Sequence, residues 1–292
     1  MSAIPRTNAD LAVQPTAFVS DFLAGRVVFV SGAGSGIGRA TAWLAARLGA
    51  QVIVGGRTAA KLETVVGAIQ ARGLKADFEA YDIRERADVD RAFAAIAARH
   101  GAVDLLVNSA GGQFPQAAID FSERGWQAVI NTNLNGTWHM MQAAATAWRQ
   151  ADRGGSIVNV VVVNQGLYGV AHTSAARAGV IAFSEKAAVE WAPLGIRVNC
   201  IAPGAIETEG WAVYSEAART RYPRTNPLMR AGSPWEIAEA AIFLGGPAGT
   251  FINGATLVVD GGGQHWGEIW TTGKPPYFAA ATRLWDDGAE PG

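Results

Sequence analysis

Two groups of residues are spaced for ligand chemistry. The first is Ser31-Gly32-Ala33-Gly34-Ser35-Gly36-Ile37-Gly38, a glycine cluster that closes the apolar run Val27–Ser31. Glycine lets the backbone turn sharply and lets a ligand approach where a Cβ would block it. The N–H groups that open the Ala- and Leu-rich segment behind the cluster, with the positive end of its dipole, suit a pyrophosphate. Gly32, Ser35, Gly36, Ile37 and Gly38 are therefore a candidate cradle, and a following strand at Gln51–Val54 makes a dinucleotide the expected ligand. The second group bears on which dinucleotide. Gly55-Gly56-Arg57 follows that strand and contains no acid. A carboxylate there would accept a bond from the ribose 2′-hydroxyl of NAD and repel the 2′-phosphate of NADP, whereas an arginine attracts it. NADP(H) is expected in preference to NAD(H), the alternative being a solvated surface arginine. Asp82-Ile83, after the third strand, can meet the adenine, or Asp82 can be a turn residue.

Strands and helices alternate around these groups. Strands are predicted at Val27–Ser31, Gln51–Val54, Asp77–Tyr81, Val103–Asn108, Ser156–Val163, Arg197–Ala202 and Ala255–Val259. Helices are predicted at Ile37–Leu48, Ala59–Ala71, Ala87–Arg99, Glu123 to about Arg149, Thr173–Trp191 and Trp235–Leu244, from apolar residues at helical spacing such as Leu62, Val65, Val66 and Ile69. The fifth strand is apolar at nearly every position, as a strand covered on both faces must be. The expected fold is α/β: one Rossmann-type, doubly wound parallel sheet with helices on both faces. Ligands in such sheets bind at the carboxyl ends of the strands, where every motif here falls. Residues 1–24 are expected to be an extended arm and 25–263 the dinucleotide-binding domain. Residues 264–292, with Trp266, Trp270, Tyr277, Phe278 and Trp285, are expected to form a tail that packs on the domain or a neighbouring subunit.

Bulk properties narrow the function classes. The 292 residues are 49% apolar, with a formal net charge of -1, which gives no electrostatic case for nucleic acid or an anionic membrane. No apolar stretch reaches the length of a membrane span. Cys200 is the single cysteine and lies in an apolar run, so no internal disulfide forms and a buried thiol is expected. No metal site is indicated. Residues 1–20 form no apolar signal region, and Glu290-Pro291-Gly292 is not a peroxisomal address, so a cytoplasmic location is the expectation.

The motifs in order resemble those of the short-chain dehydrogenase/reductase family, over about Gly25 to Gly263. Ser31–Gly38 is similar to its glycine loop, and Asn108-Ser109-Ala110-Gly111 to its Asn-Asn-Ala-Gly motif, which stabilises the sheet and walls the cofactor. Asn133 matches the active-site asparagine. Pro203-Gly204, Ile206 and Thr208 match the segment that faces the nicotinamide, and Asp260-Gly261-Gly262 the closing motif. The resemblance implies cofactor contacts at Asn108, Ala110, Gly111, Pro203, Gly204, Ile206 and Thr208, and a homotetramer built partly on the two long helices.

The family's usual chemistry needs a serine, a tyrosine and a lysine four residues after the tyrosine, which lowers the tyrosine pKa. Here those positions fall near Val162, at Thr173 and at Arg177. A threonine hydroxyl beside an arginine is a poor acid at neutral pH. One branch of the family, the peroxisomal trans-2-enoyl-CoA and 2,4-dienoyl-CoA reductases, lacks the same residues. This chain resembles it at Gly111-Gly112-Gln113-Phe114, at His172 with Ala175–Val180, and at Glu190-Trp191-Ala192, and the arginine at position 177 resembles the trans-2-enoyl-CoA reductase in particular.

Reduction of an α,β-unsaturated thioester suits such a site. Negative charge builds on the thioester oxygen, hydrogen-bond donors stabilise it, and a proton reaches the α-carbon from water. Candidate donors are Asn133, Tyr168 and the backbone near Gly112. Arg177 can hold the nicotinamide ribose, or instead pair with an acid on its helix. Gln113, Phe114, Tyr168, His172 and Trp211 are candidates to line the substrate, for which an acyl-CoA is the candidate. Packing roles are the alternative for Tyr168 and an ordinary helix-start role for His172. The long connection at about 206–231, with Trp211, Tyr214 and Tyr222, reads as a lid, and its Arg219, Arg221, Arg224 and Arg230 either meet a CoA phosphate or are solvated. Two other functions remain open: an alcohol or ketone dehydrogenase with Tyr168 or His172 as acid, and a non-catalytic NADP-binding protein. If Arg57 selects the cofactor, Arg57→Asp should weaken NADPH binding far more than NADH binding; equal losses in a titration of both would remove that role.

Overall fold

The computed structural model describes residues 4, 6–163, 168–267, 271 and 275–277. Val27–Ser31 (β1) is buried at every position because it lies inside a seven-stranded sheet. Its companions are Gln51–Gly56 (β2), Ala76–Ala80 (β3), Leu105–Asn108 (β4), Gly155–Val160 (β5), Ile196–Pro203 (β6) and Thr256–Val259 (β7). The order is β3-β2-β1-β4-β5-β6-β7 and every neighbouring pair is parallel. The order reverses between β1 and β4, so a crevice opens at their carboxyl ends.

Alternation along β1 shows why both faces are apolar. Val28 and Val30 enter a core formed with Gly36–Arg47 (α2), Ala59–Gln70 (α3) and Pro234–Gly245 (α9), where Trp43, Leu62 and Ile242 are buried. Val27 and Phe29 enter the opposite core, formed with Arg86–His100 (α4), Gly136–Gln150 (α6) and Ala171–Glu190 (α7), where Phe93, Met141 and Ala188 are buried. The result is a single Rossmann-like domain. Parallel strands place hydrophobic residues on both sides of the sheet, which is the pattern the sequence carries.

Three expectations need correction. The arm is not simply extended. Asn8–Val13 forms a helix (α1) closed by a capping box, in which the Thr7 hydroxyl accepts from the Asp10 amide while the Asp10 carboxylate accepts from the Thr7 amide. Leu11 is buried, Trp43 Nε1 donates to Asn8 Oδ1 at 3.0 Å, and Trp235 Nε1 donates to the Pro15 carbonyl at 2.9 Å. The Thr7-x-x-Asp10 spacing was the available signal. The helix expected from Glu123 to Arg149 is interrupted. Glu123–Ile130 (α5) and α6 are joined by a π-helical turn at Asn131–Asn135, a distortion that is frequent at functional sites. Lastly, β5 stops at Val160, before Val163, and α7 starts at Ala171, two residues before Thr173. The buried thiol expected at Cys200 is present. Trp270, Phe278 and Trp285 of the tail lie outside the described residues, and Tyr277 is largely exposed.

The 206–231 connection, read above as a lid, is closed at its base. Ile206 bridges Gly232, the Glu207 amide donates to the Gly232 carbonyl at 2.9 Å, and the Gly232 amide donates to the Ala205 carbonyl at 2.9 Å. The lid continues through Glu216–Arg221 (α8). Just beyond it, α9 opens on a second capping box between Ser233 and Glu236, and Arg230 forks onto the Glu236 carboxylate. Burial alone would raise the pKa of Glu236, but the bonds from Arg230 and the Ser233 amide hold it below the usual carboxylate range. A carboxyl depressed by folding stabilises the protein above its unfolded pKa, and that contribution is lost as pH falls through the folded value. Ser233→Ala should therefore cost about 1 kcal/mol in urea unfolding. Glu236→Gln should flatten the acid limb of stability against pH, and an unchanged limb would assign that limb to other carboxylates.

Candidate functional site

The crevice is built where β1 and β4 turn. Gly32 has φ +69, and a Cβ there would lie 2.6 Å from the Ala110 backbone, so the two turns lie in van der Waals contact. A Cβ on Gly38 would strike the Gly32 carbonyl at 2.5 Å, which seats α2 directly on the turn. Ser35 is the residue ahead of α2, and its hydroxyl makes no capping bond. The Gly36 amide instead donates to Glu209 Oε2 of the lid at 3.0 Å. A lid carboxylate thus stands where a diphosphate oxygen is expected. Ile37 packs against the core below. The cradle of glycines and an anion already seated on the helix N-terminus both fit a dinucleotide phosphate.

At the adenosine end, Arg57 is exposed beside the Asp82 carboxylate. Asp82 is held by Arg84: Nε donates to Oδ1 at 2.9 Å, and the Arg84 amide donates to the same oxygen at 3.0 Å. Chiefly through that side-chain bond, the Asp82 pKa lies below its ordinary value. Asp82 is thus engaged within its own turn, and its charge is met by arginine. Ile83 is buried, and Gly136 packs so closely on it that a Cβ would lie 2.9 Å from Ile83 Cγ2.

The catalytic candidates converge on the π-helical turn. Asn133 is fully buried. Its Oδ1 accepts from the Gly112 amide at 2.9 Å, and its Nδ2 donates to the Gly112 carbonyl at 2.9 Å and to Thr173 Oγ1 at 2.8 Å. Both amide hydrogens are thereby committed, so Asn133 fixes the loop after β4 and is not a free donor to a substrate oxygen. Thr173 accepts from Asn133 and keeps its hydroxyl hydrogen for another acceptor. Asn108 Nδ2 donates to Asn159 Oδ1 at 2.8 Å, and Asn159 Nδ2 donates to Ser184 Oγ at 2.9 Å, which ties β4, β5 and α7 together behind the crevice.

Arg177 lies one helical turn after Thr173 and is 8% exposed. Its Nη2 donates to the Ala110 carbonyl at 3.3 Å, and its buried Nη1 has no partner. Gly111 makes the room, since a Cβ there would overlap the guanidinium. No ion pair of Arg177 with an acid is found among the described residues, so the helix-pairing alternative does not hold. Burial pushes its pKa down to about 10, which leaves it charged at neutral pH. An unpaired buried cation with an open donor, facing the turn that would wall a nicotinamide, fits a cofactor ribose.

The substrate candidates divide. Phe114 meets His172 edge-on at 4.6 Å, and Phe121 stacks on the same imidazole at 4.5 Å. His172 Nδ1 accepts from the Thr173 amide at 2.8 Å, so Nε2 carries the hydrogen, and Nε2 is buried without a partner. Gln113 bonds to the Tyr214 hydroxyl of the lid, and burial raises the pKa of that phenol. Tyr168 does not join this group: it is 91% exposed, at the end of a segment tied to Gln116 by the Gly169 carbonyl. Trp211 is partly exposed in the lid. Thr208 caps the Gly210 amide and lies against Gly36, and a Cβ on Gly204 would lie 2.7 Å from the Asp260 Cβ. Pro203 and Ile206 are buried at the lid base. Glu209 and Phe121 were missed by sequence reasoning, because both act through contacts between distant segments; Tyr214 was read as part of the lid, without its bond to Gln113.

Comparison with known proteins covers most of the chain. Residues 32–264 match the family model described as enoyl-(acyl carrier protein) reductase. A probable 2,4-dienoyl-CoA reductase of Bacillus subtilis is 38% identical over 245 residues, spanning 81% of this chain and 96% of the relative. The 3-oxoacyl-(acyl-carrier-protein) reductase FabG of Chlamydia pneumoniae is 34% identical over 242 residues, spanning 82% and 97%. Among solved structures, a gluconate 5-dehydrogenase of Burkholderia cenocepacia in complex with NADP and tartrate superposes with TM-score 0.79 at 34% identity, covering 85% of this chain and 99% of that one.

The Arg177 geometry separates stability from binding. Arg177→Met removes a buried charge that has no counter-ion, so resistance to urea should rise by about 1 kcal/mol. Dinucleotide affinity should fall about tenfold or more, the value of a bond from a charged donor. A variant that unfolds more easily and binds unchanged would show that the guanidinium is structural.

Proposed function

The chain belongs to the short-chain dehydrogenase/reductase family, and we propose that within it the protein is an NADP(H)-dependent reductase of an activated carbon–carbon double bond, most simply that of a 2-enoyl-CoA. The oxidoreductase class follows from the family. The observation that supports the narrower reading is that the two positions where the family carries its tyrosine acid and its lysine hold the buried Thr173 and Arg177. Thr173 carries a hydroxyl and Arg177 a guanidinium that stays charged at pH 7, and neither is a competent acid at that pH.

A bound nicotinamide supplies hydride. The protein's own share is orientation and electrostatics. Arg177 Nη1 holds the ribose, and Gly111 keeps that guanidinium against the turn after β4. Asn133 locks the Gly112 peptide at both its N–H and its C=O. The Thr173 hydroxyl, fixed by Asn133, donates to the thioester oxygen as charge develops there, and the α-carbon takes its proton from water. Phe114 and Phe121 cover His172 and give the acyl side an apolar wall. An alcohol or ketone substrate would need a strong acid at the oxygen; His172, enclosed between the Phe114 and Phe121 rings, is poorly placed to be one.

NADP(H) over NAD(H) is supported by the exposed Arg57 and by an Asp82 already engaged by Arg84. A homotetramer is supported by the unpaired edge of β7, with Leu257 and Phe251 exposed, and by Trp138 exposed on α6. No helix among the described residues is long and apolar enough to cross a membrane. A cytoplasmic location completes the proposal, in keeping with one buried, unpaired cysteine. The test mixes purified protein and NADPH with trans-2-enoyl-CoAs, ketones and aldehydes and follows absorbance of the reduced nicotinamide. Oxidation with enoyl-CoA alone is expected. Oxidation with carbonyl compounds alone would replace this reading by the dehydrogenase one, and tight NADPH binding without turnover on any compound by the non-catalytic one.

A further inference from the structure

We propose that Glu209 is a built-in competitor for the cofactor diphosphate, so that dinucleotide binding and release of the lid are one event. The inference rests on the dinucleotide reading but not on the choice of substrate. An N–H at a helix start is a strong site for an anion. The Gly36 amide, which opens α2, is occupied at 3.0 Å by Glu209 Oε2, while Glu209 Oε1 pairs with Arg39 Nη2 at 2.7 Å. The neighbouring residue Ser35, the usual source of a capping oxygen, makes no such bond. The helix is therefore capped from a distant segment, by a charge of the same sign as the ligand.

A carboxylate and a diphosphate cannot share that N–H, so the cofactor has to expel Glu209. The expulsion carries consequences because of where Glu209 sits. It begins the 3-10 turn Glu209–Val213, and the next residue, Tyr214, holds Gln113 on the substrate side of the crevice. The lid thus touches both halves of the site while its base stays pinned by Ile206 and Gly232. Lifting Glu209 pulls on the Tyr214 contact, so the substrate side opens after the cofactor is seated. A cavity of about 450 Å³ beside Glu209, lined also by Ser35, Arg39 and Lys61, gives the displaced segment and the incoming phosphate room to exchange.

The experiment is a binding titration followed by tryptophan fluorescence, with limited trypsinolysis alongside. Glu209→Gln keeps the shape and removes the charge. It should bind NADPH about two- to fivefold more tightly than wild type, the range for one charge at a helix terminus. Adenosine 2′-monophosphate, which has no diphosphate, should bind both proteins alike. Glu207→Gln is the charge control: Glu207 pairs with Arg6, not with Gly36, and its removal should leave NADPH affinity unchanged. NADPH should speed cleavage after the lid residues Arg219 and Arg221 in wild type, while Glu209→Gln is cut fast without cofactor. Equal NADPH affinity in wild type and Glu209→Gln would overturn the inference alone, as would an equal gain from Glu207→Gln. Failure of both proteins to bind any dinucleotide would overturn the cofactor reading with it.

Discussion

A guanidinium enclosed at the ends of the strands, with no carboxylate among the described residues to neutralise it, sets the terms for the rest of the site. Burying an unpaired charge is costly, and proteins keep one where a ligand needs it. Here the cost is spread through the surroundings. Gly111 has no side chain so that Arg177 fits, Ala110 offers a carbonyl, and Asn133 clamps the adjoining Gly112 peptide so that the carbonyl cannot drift. The chain of bonds from Asn108 through Asn159 to Ser184 then fastens the helix that carries Arg177 to the strands that carry its partners. Removing the positive charge would leave this apparatus without a purpose.

Under the proposed reading, the same arrangement would let a member of a family whose reactions usually depend on a tyrosine acid dispense with one. When the substrate's oxygen is protonated during reaction, the protein must supply a proton of suitable acidity. When charge is only delocalised onto that oxygen, a fixed dipole suffices, and fixed dipoles come from rigidity rather than from pKa tuning. Thr173 is a weak acid but a well-held donor, because its oxygen is already pinned by Asn133.

The sheet was legible because its signal is local. β1, β2 and β6 read as apolar runs ended by glycine or proline, and their alternation with helices made a parallel sheet legible. Arg57 and Arg177 could be located by counting from motifs. Side-chain commitments could not. Asn133 looked like a free donor until its three bonds, all to segments far away in sequence, were seen. Tyr168 looked placed for substrate because it follows closely on the end of the fifth strand, but its side chain is largely exposed. Helix α1 was missed despite a capping box in the sequence, since prolines on both sides suggested an arm. Glu209 carried no signal at all, because its meaning depends on meeting Gly36 from the far end of the domain.

The π-helical turn at Asn131–Asn135 has one more consequence. Such a turn is an α-helix holding a surplus residue, so it sets the angular phase between what comes before and after it. Each residue of an α-helix advances the azimuth by about 100°. A lineage that lost a single residue here would gain a smoother helix and better backbone hydrogen bonds. It would also rotate α5 relative to α6 and swing the clamp on Gly112 away from the crevice. The irregularity is thus a phase adjuster, and the only inexpensive mutation that straightens it also disconnects the loop after β4 from the helix bearing Thr173.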